Sequence, residues 1–568
     1  MAKSYVILKD APIMDYSKDF VALPDNYGTY DYFQREDVKA IRETVFAALD
    51  ELNAKTNFSE ELKNNRKVII KPNLVNVYHN SGFYDKNGGT DFPETTDPRV
   101  FEAVVGWMKQ YTANIVIAES SGKPFPASAS FKLTGYDRIA KYYNTELCPL
   151  ERRPVVRYML PKAEVMKEIL IPDLFDEIVK GEAFYISVPK MKTNIYTGVT
   201  LGFKNAMGTI PYFLRERNHT YDINKKLADM LYLFKPNLTV IDGIIGGEGN
   251  TPAPVDPVDV HMIVASNQSV EADRITTYMM GFDPAQNKLL IEADKRGFGD
   301  PDVEIVGNVR VTPFRPACPS LMRGEIIETF PNILAVAGHT LNGAPQITDK
   351  DSVTPDQAFA LEQACVGGCL SSVAFGYADA KYGPKPNFGA KVLVVEGHGV
   401  EIDGERYWFD KTGKPYTKAD IQNSGYKIMV MGKCCGQDML EIADYPIKGC
   451  CDPAECLSAA ANSVGQIVPQ LHPLRNKGLV PVAVPMLATT LYYRGKWILQ
   501  GKAVDVPRAH EDKIFEIPSL SEADAQKDYI SWPIPPLTTQ QKIDGFKDML
   551  NLADAVVGMF GTVKYYKK

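Results

Sequence analysis

Phe184-Tyr-Ile-Ser-Val188-Pro189-Lys190-Met-Lys192-Thr-Asn194 joins two kinds of chemistry in one short stretch. An uncharged run of β-branched and aromatic residues ends at a proline, and a segment bearing lysines and an amide follows. A continuous apolar run closed by a breaker reads as a strand buried on both faces, the kind found in parallel sheets. The pattern recurs in Val68-Ile-Ile70, Asn114-Ile-Val-Ile-Ala118, Leu238-Thr-Val-Ile241, Met262-Ile-Val-Ala265 and Ile333-Leu-Ala-Val336. It returns in Lys391-Val-Leu-Val-Val395, Lys427-Ile-Met-Val-Met431 and Val480-Pro-Val-Ala-Val484. Helical patterns separate these runs at Asp37 to Leu52, Asp97 to Gln110, Val270 to Met280, Thr354 to Leu370 and Pro453 to Val464. The fourth opens with Thr354-Pro-Asp-Gln357, an N-cap, a proline at the first helical position and a capping-box glutamine.

Alternating strands and helices predict an α/β chain of two domains, each with a mainly parallel sheet flanked by helices. Thr312-Pro-Phe-Arg-Pro-Ala-Cys-Pro319 breaks regular structure and predicts the boundary. This gives one α/β domain over residues 1–311. A cysteine-rich α/β domain over 312–568 is predicted to close in an amphipathic helix near Thr539 to Met559. At 568 residues, with 45% hydrophobic and 23% charged residues, the chain has ample material for sizeable cores.

The formal net charge of -7 gives no basic footprint for nucleic acid. There is no uncharged apolar run of about 18 residues for a membrane span. Met1-Ala-Lys-Ser-Tyr5 lacks the charged and apolar regions of a secretory signal, so a cytoplasmic protein is expected.

In that compartment crowded cysteines read as metal or redox ligands before disulfides. Cys365, Cys369, Cys434, Cys435, Cys450, Cys451 and Cys456 cluster in the second half. Gly432-Lys-Cys434-Cys435-Gly436 follows a strand, and Lys448-Gly-Cys450-Cys451-Asp-Pro-Ala-Glu-Cys456 enters a helix. Loops of these kinds gather at one edge of a parallel sheet. Thiolates without companion histidines favour an iron–sulfur cluster, 4Fe-4S or larger, with zinc as the alternative. Small buried hydrophobes and a metal-free redox disulfide are the competing readings. On the predicted Thr354–Leu370 helix, Cys365 and Cys369 are four apart and share a face, so either could complete the ligand set.

The first half carries chemistry suited to an anion. Lys71 and Asn73 follow one strand, Lys190, Lys192, Thr193 and Asn194 another, and Lys204-Asn205 sits between glycines. Val240-Ile-Asp242-Gly-Ile-Ile-Gly-Gly247-Glu-Gly-Asn250 adds a glycine turn that matches neither a Rossmann nor a P-loop pattern. A lysine offers a point charge to carboxylate or phosphate, and an amide both donates and accepts. Each lysine alone also reads as a solvated surface residue; their repetition at strand ends carries the functional reading. His219 and His398 are the candidate general acids or bases, with surface histidines as the plain reading.

Together, Val68-Ile-Ile-Lys-Pro-Asn73, Val188-Pro-Lys-Met-Lys-Thr193, Gly198-Val-Thr-Leu-Gly-Phe-Lys-Asn-Ala-Met-Gly208, Pro236-Asn-Leu-Thr-Val-Ile-Asp-Gly243, Glu248-Gly-Asn250 and Met280-Gly-Phe-Asp-Pro284 resemble the family called Domain of Unknown Function 362. The resemblance covers about residues 60–310. It implies an α/β domain and an iron–sulfur association, since many members carry a ferredoxin-like module. The chain departs from that pattern, because its cysteines follow no ferredoxin spacing and Asn194 stands where histidine is common. Cys434-Cys435-Gly436 also looks like the cysteine motif of heterodisulfide-reductase-type subunits.

These readings combine into an expectation of an iron–sulfur oxidoreductase of anaerobic metabolism. Its substrate would be a small anion, carboxylate or phosphorylated, bound between the two domains. A redox-neutral lyase, dehydratase or isomerase is the alternative within enzymes, and an electron carrier is the alternative outside them. The expected partners are the substrate, an electron-donor protein and a second copy of the chain, with no nucleic acid and no membrane.

Overall fold

The computed structural model describes residues 3–75, 93–120, 126–211, 214, 221–251, 255–341, 343–365, 367–381, 386–449, 453–466, 479–502, 515 and 517–547. His219, Cys450 and Cys451 lie outside them, as does the predicted last helix beyond residue 547; residues 539–547 are helical.

The first half supplies β1 (Tyr5–Asp10), β2 (Lys67–Pro72), β3 (Ile115–Glu119), β4 (Glu146–Pro149), β5 (Val155–Met159), β6 (Glu168–Pro172) and β7 (Ala183–Val188). β8 (Lys190–Asn194), β9 (Gly198–Thr200), β10 (Leu238–Glu248), β11 (Asp256–Ser266) and β12 (Glu304–Val306) follow. The second half supplies β13 (Ile333–Ala337), β14 (Val392–Glu396), β15 (Val400–Ile402), β16 (Glu405–Phe409), β17 (Pro415–Tyr416), β18 (Lys427–Met431), β19 (Tyr445–Ile447) and β20 (Ile530–Trp532).

One large sheet has the order β12-β1-β11-β10-β7-β2-β3-β4, with β8 and β9 continuing beside β10. Pairing is parallel from β10 through β7, β2 and β3 to β4, and antiparallel around β11. A second sheet, β15-β16-β13-β14-β18-β19, is parallel from β13 to β19. The expected fold class, α/β with mainly parallel sheets flanked by helices, is the observed one.

Alternation along the strands explains the apolar runs. Val68 and Ile70 of β2 join a core with the helices Glu36–Thr56 and Pro98–Met108, whereas Ile69 joins the core on the opposite face. Leu393 and Val395 of β14 likewise face one core, and Val392 and Val394 the other. Strands covered on both faces have no position that water would tolerate as polar until they reach an edge.

Three expectations need correction. Thr354–Leu370 is not one helix: Pro355–Gln363 stops, and a second helix, Cys369–Ala380, starts after Gly368 at φ 80°. A positive φ is open to glycine at little cost and ends an α-helix, so Cys365 and Cys369 do not share a helix face. Val480–Val484 is not a strand but the start of the helix Leu479–Leu499. A short apolar run cannot separate a strand from a buried helix, and Pro481 lies in the first turn, whose N–H groups need no partner.

Residues 312–568 also do not form one unit. The chain returns to the first half, where β20 pairs antiparallel with β5, the Trp497 indole donates to the Arg152 carbonyl (2.9 Å) and Val155 N–H donates to the Lys502 carbonyl (3.1 Å).

Replacing Trp497 by Ala should therefore destabilise the first half, by about 2 kcal/mol. Amide hydrogen exchange should quicken in Val155–Met159 while β14 and β18 stay protected. Unchanged exchange in β5 would contradict this placement of the C-terminal segment.

Candidate functional site

Strands β2, β3, β7 and β10 bring their carboxyl ends to a common edge, where open α/β sheets place ligands. The lysines expected there are present, and they are buried rather than solvated. Lys71 Nζ donates to Glu119 Oε2 (2.9 Å), Asn205 Oδ1 (2.9 Å) and the Pro72 carbonyl (3.0 Å). Asn73 Nδ2 donates to the same Asn205 oxygen (3.1 Å), and Asn205 Nδ2 donates to Ser187 Oγ (3.0 Å). Gly208 closes over this group: a Cβ there would lie 2.5 Å from both Lys71 Nζ and Glu119 Oε1, so a side chain has no room.

Lys190 Nζ pairs with Asp242 Oδ2 (2.6 Å) and donates to the Ile245 carbonyl (3.0 Å). Asp242 also accepts the Asp97 N–H (2.7 Å), tying β10 to the helix that begins at Pro98. Thr193 Oγ1 donates to the Gly249 carbonyl (2.8 Å), and Asn194 Oδ1 accepts from Tyr196 N, Thr197 N and Thr197 Oγ1. Thr193 and Asn194 thus hold the turn between β8 and β9.

Lys192 differs from Lys71 and Lys190. It is wholly buried, its ammonium donates to the Glu94 backbone carbonyl, and no carboxylate forms an ion pair with it among the described residues. Burial pushes its pKa down to about 7; the neighbouring cations Lys204 and Lys190 push the same way, against Glu94 and Glu119. Glu119 and Asp242 are partners that the lysine pattern alone did not supply. The signal was present, since each is an acid in a largely apolar strand.

The second sheet gathers thiols at its corresponding edge. Cys434 and Cys435 form a tight turn after β18, between Gly432 and Gly436, both at positive φ. A Cβ on Gly432 would lie 3.6 Å from Cys434 Sγ and 3.7 Å from Cys369 Sγ, so these sulfurs flank one backbone position. Cys435 is fully buried, with Sγ 3.4 Å from the Met431 carbonyl and 3.6 Å from that of Val395. The Cys434 contact and burial raise the Cys435 thiol well above its usual range. Cys456 is buried in the same core as Cys369, and Cys365 Sγ accepts the Gly367 N–H (3.3 Å). Among the described residues, no group of three or more His, Cys, Asp or Glu is arranged to hold a metal ion.

His398 is exposed, and its backbone carbonyl receives Arg406 (3.3 Å). The sequence reading passed over two buried groups nearby. Glu396 ends β14 with both carboxyl oxygens unpartnered among the described residues, and burial raises its pKa well above the carboxylate range. His339 follows β13 with Nε2 unpartnered among the described residues, and burial pushes its pKa down to about 4.

Residues 68–278 match the family model for a domain of unknown function, DUF362. The DUF362 segment contains the lysine cluster and ends before the clustered cysteines. The thylakoid-associated protein sll1697 of Synechocystis sp. (strain ATCC 27184 / PCC 6803 / Kazusa) is 28% identical over 126 residues. That alignment covers 21% of this chain and 39% of the relative, so the chain spans about two fifths of the length of the curated protein it matches. No solved structure matches significantly. Among the described residues, no helix is long and apolar enough to cross a membrane.

Lys192 makes stability depend on pH in a defined direction. Its pKa is about 7 folded against 10.5 for the free side chain, so the unfolded chain binds the extra proton between those values. Stability from this group therefore rises with pH from about 7 to 10.5, and its penalty is complete below about 7. Lys192→Met should unfold at a higher temperature than the parent chain at pH 6, with the gap closing toward pH 10. A gap independent of pH would contradict the assignment.

Proposed function

We propose that the chain is an iron–sulfur oxidoreductase in which the DUF362 segment binds a small anionic substrate and the second sheet holds the cluster beside it. One observation carries this reading. The hairpin β8–β9, which bears Lys190 and Lys192, reaches with its tip the helix that starts at Cys369: Ser371 Oγ donates to the Ile195 carbonyl (3.2 Å), and Tyr196 Oη and Ser372 Oγ share a hydrogen bond (2.9 Å). The anion-type cluster and the thiol edge are thus joined by one short, ordered segment.

The thiols suit such a group, because Cys369 and Cys434 flank the side-chain-free Gly432. In this reading Cys369, Cys434 and Cys456 hold it with Cys450 or Cys451, and zinc is the alternative occupant. The cluster would supply one-electron transfer or Lewis-acid chemistry. The chain's own part is to bind and orient: the buried lysines at this edge supply positive charge toward the anion, with Lys71 paired to Glu119 and Lys190 to Asp242. A donor protein would deliver electrons, and the cytoplasm is the proposed setting. A redox-neutral reaction is the second reading, favoured by Lys192, whose pKa near neutrality suits proton transfer.

Anaerobically purified protein should contain iron and acid-labile sulfide. Cys369→Ser should lower the iron content and alter the visible and electron-paramagnetic spectra without unfolding the chain. Stoichiometric zinc without iron, or unchanged iron in Cys369→Ser, would overturn the cluster assignment.

A further inference from the structure

We propose that Glu396 and His339 are the oxygen and nitrogen ligands of a divalent, manganese-type cation at the carboxyl edge of the second sheet. The site uses none of the thiols assigned to the iron–sulfur group, so it stands or falls separately from the proposed function.

Three observations carry it. First, two buried side chains at neighbouring strand ends lack partners among the described residues. Glu396 ends β14 wholly buried with neither carboxyl oxygen hydrogen-bonded, and His339, two residues past β13, is 4% exposed with Nε2 equally bare. Such orphaned buried groups are rare in native folds, and a bound ion is one of the few things that accounts for them. Second, the backbone brings the two together. β13 and β14 are parallel with Ala337 opposite Glu396, and the Gly338 N–H donates to the Glu396 carbonyl (2.8 Å). A Cβ on Gly397 would lie 2.7 Å from His339 Nδ1, so the imidazole packs against the residue that follows Glu396. By alternation Glu396 shares a strand face with Val392 and Val394, which line the same core as Ala335 and Ala337 of β13. Third, the charge around Glu396 has one sign. Its electrostatic neighbours are Glu362 and Cys435, both acids. Glu362 is answered by four donors, Ser320 Oγ (2.6 Å), Leu321 N–H (2.7 Å), Met322 N–H (3.1 Å) and Gln363 Nε2 (3.1 Å). Among the described residues Glu396 has neither a donor nor a cation, and a bound cation supplies what is missing.

The donor types select the cation. Carboxylate oxygen with an imidazole nitrogen suits Mn²⁺ and its neighbours, whereas the thiolates elsewhere at this edge suit iron or zinc. Burial keeps His339 neutral, its pKa pushed down to about 4, so its nitrogen lone pair is available without loss of a proton. Two side chains form a partial shell rather than a complete group of three, and water takes the remaining positions, as is usual for hard divalent ions. His398, two residues beyond Glu396, is exposed, so the loop that carries the carboxyl group reaches solvent and gives the ion a way in.

The test treats full-length protein with EDTA, desalts it and titrates it with manganese chloride, counting free Mn²⁺ by electron paramagnetic resonance. The parent should take up one Mn²⁺ per chain and unfold at a higher temperature with the ion than without it. Pulsed spectra of the bound ion should show coupling to an imidazole nitrogen, a reading made on the parent alone that needs no variant to fold. Glu396→Gln should lose both the uptake and the thermal shift while keeping the parent's iron content. His339→Gln should weaken uptake by more than about tenfold, the loss typical even of outer-shell partners. Cys369→Ser should bind Mn²⁺ as the parent does. No uptake by the parent, uptake without nitrogen coupling, equal uptake by Glu396→Gln, or loss in Cys369→Ser would each overturn the proposal. None of these results bears on whether the thiols hold iron, which the iron and sulfide content decides.

Discussion

The buried Lys190–Asp242 pair is the contact on which the architecture of the DUF362 segment turns. Pro189 ends β7, yet the chain continues along β10 because Lys190 is opposite Asp242 in register and the Asp242 N–H donates to the Pro189 carbonyl (2.9 Å). The same carboxylate accepts the Asp97 N–H, so one acid fixes two strands and the start of a helix. Burying two charges is expensive, and removing one partner of such a pair typically costs about 3–5 kcal/mol. The geometry offsets that cost with several hydrogen bonds to each charge. Lys71 of β2 and Glu119 of β3 repeat the arrangement in the same sheet, with the Asn205 amide as a third member. These two pairs tie the sheet edge together, whereas among the described residues no carboxylate forms an ion pair with the buried Lys192.

Rigidity at this edge extends to the second half. The turn after β8 is held by Asn194 accepting three hydrogen bonds, and Ile195 at its tip is packed into the core around the helix that begins at Cys369. Cys318 N–H donates to Asn250 Oδ1 (2.7 Å) and Arg315 N–H to Glu248 Oε2 (2.7 Å), which adds a second tie between the glycine turn and the proline-rich connection.

The sheets were legible in the sequence because a strand buried on both faces leaves a simple record, an uninterrupted apolar run. Eight of the nine quoted runs are strands; Val480–Val484 misled because an apolar run inside a long apolar helix leaves the same record locally. The break at Gly367-Gly368 was legible too, but a capping box at Thr354 and continuing apolar residues outweighed it, which placed Cys365 and Cys369 on one helix face. The return of residues 479–532 to the first half was not legible, since it depends on contacts such as Trp497 to Arg152 that separate hundreds of positions. At the site, strand-end lysines were visible and their acids were underweighted. A lysine placed where a strand ends says that a charge sits at the edge, while its partner across the sheet decides whether that charge is free to act.

That distinction also separates structural from reactive residues by chemistry alone. Lys71, Lys190 and Lys192 have the same side chain, share one sheet edge and are all removed from water. For the first two, a carboxylate within 3 Å completes a buried ion pair, and removing either partner would strand a buried charge. For Lys192, the nearby cation Lys204 and the loss of hydration both favour release of the proton, and the Glu94 carbonyl keeps its hydrogen bond in either state. Carboxylate placement, rather than lysine placement, therefore distinguishes the paired amines from the one whose proton affinity is lowered toward neutral pH.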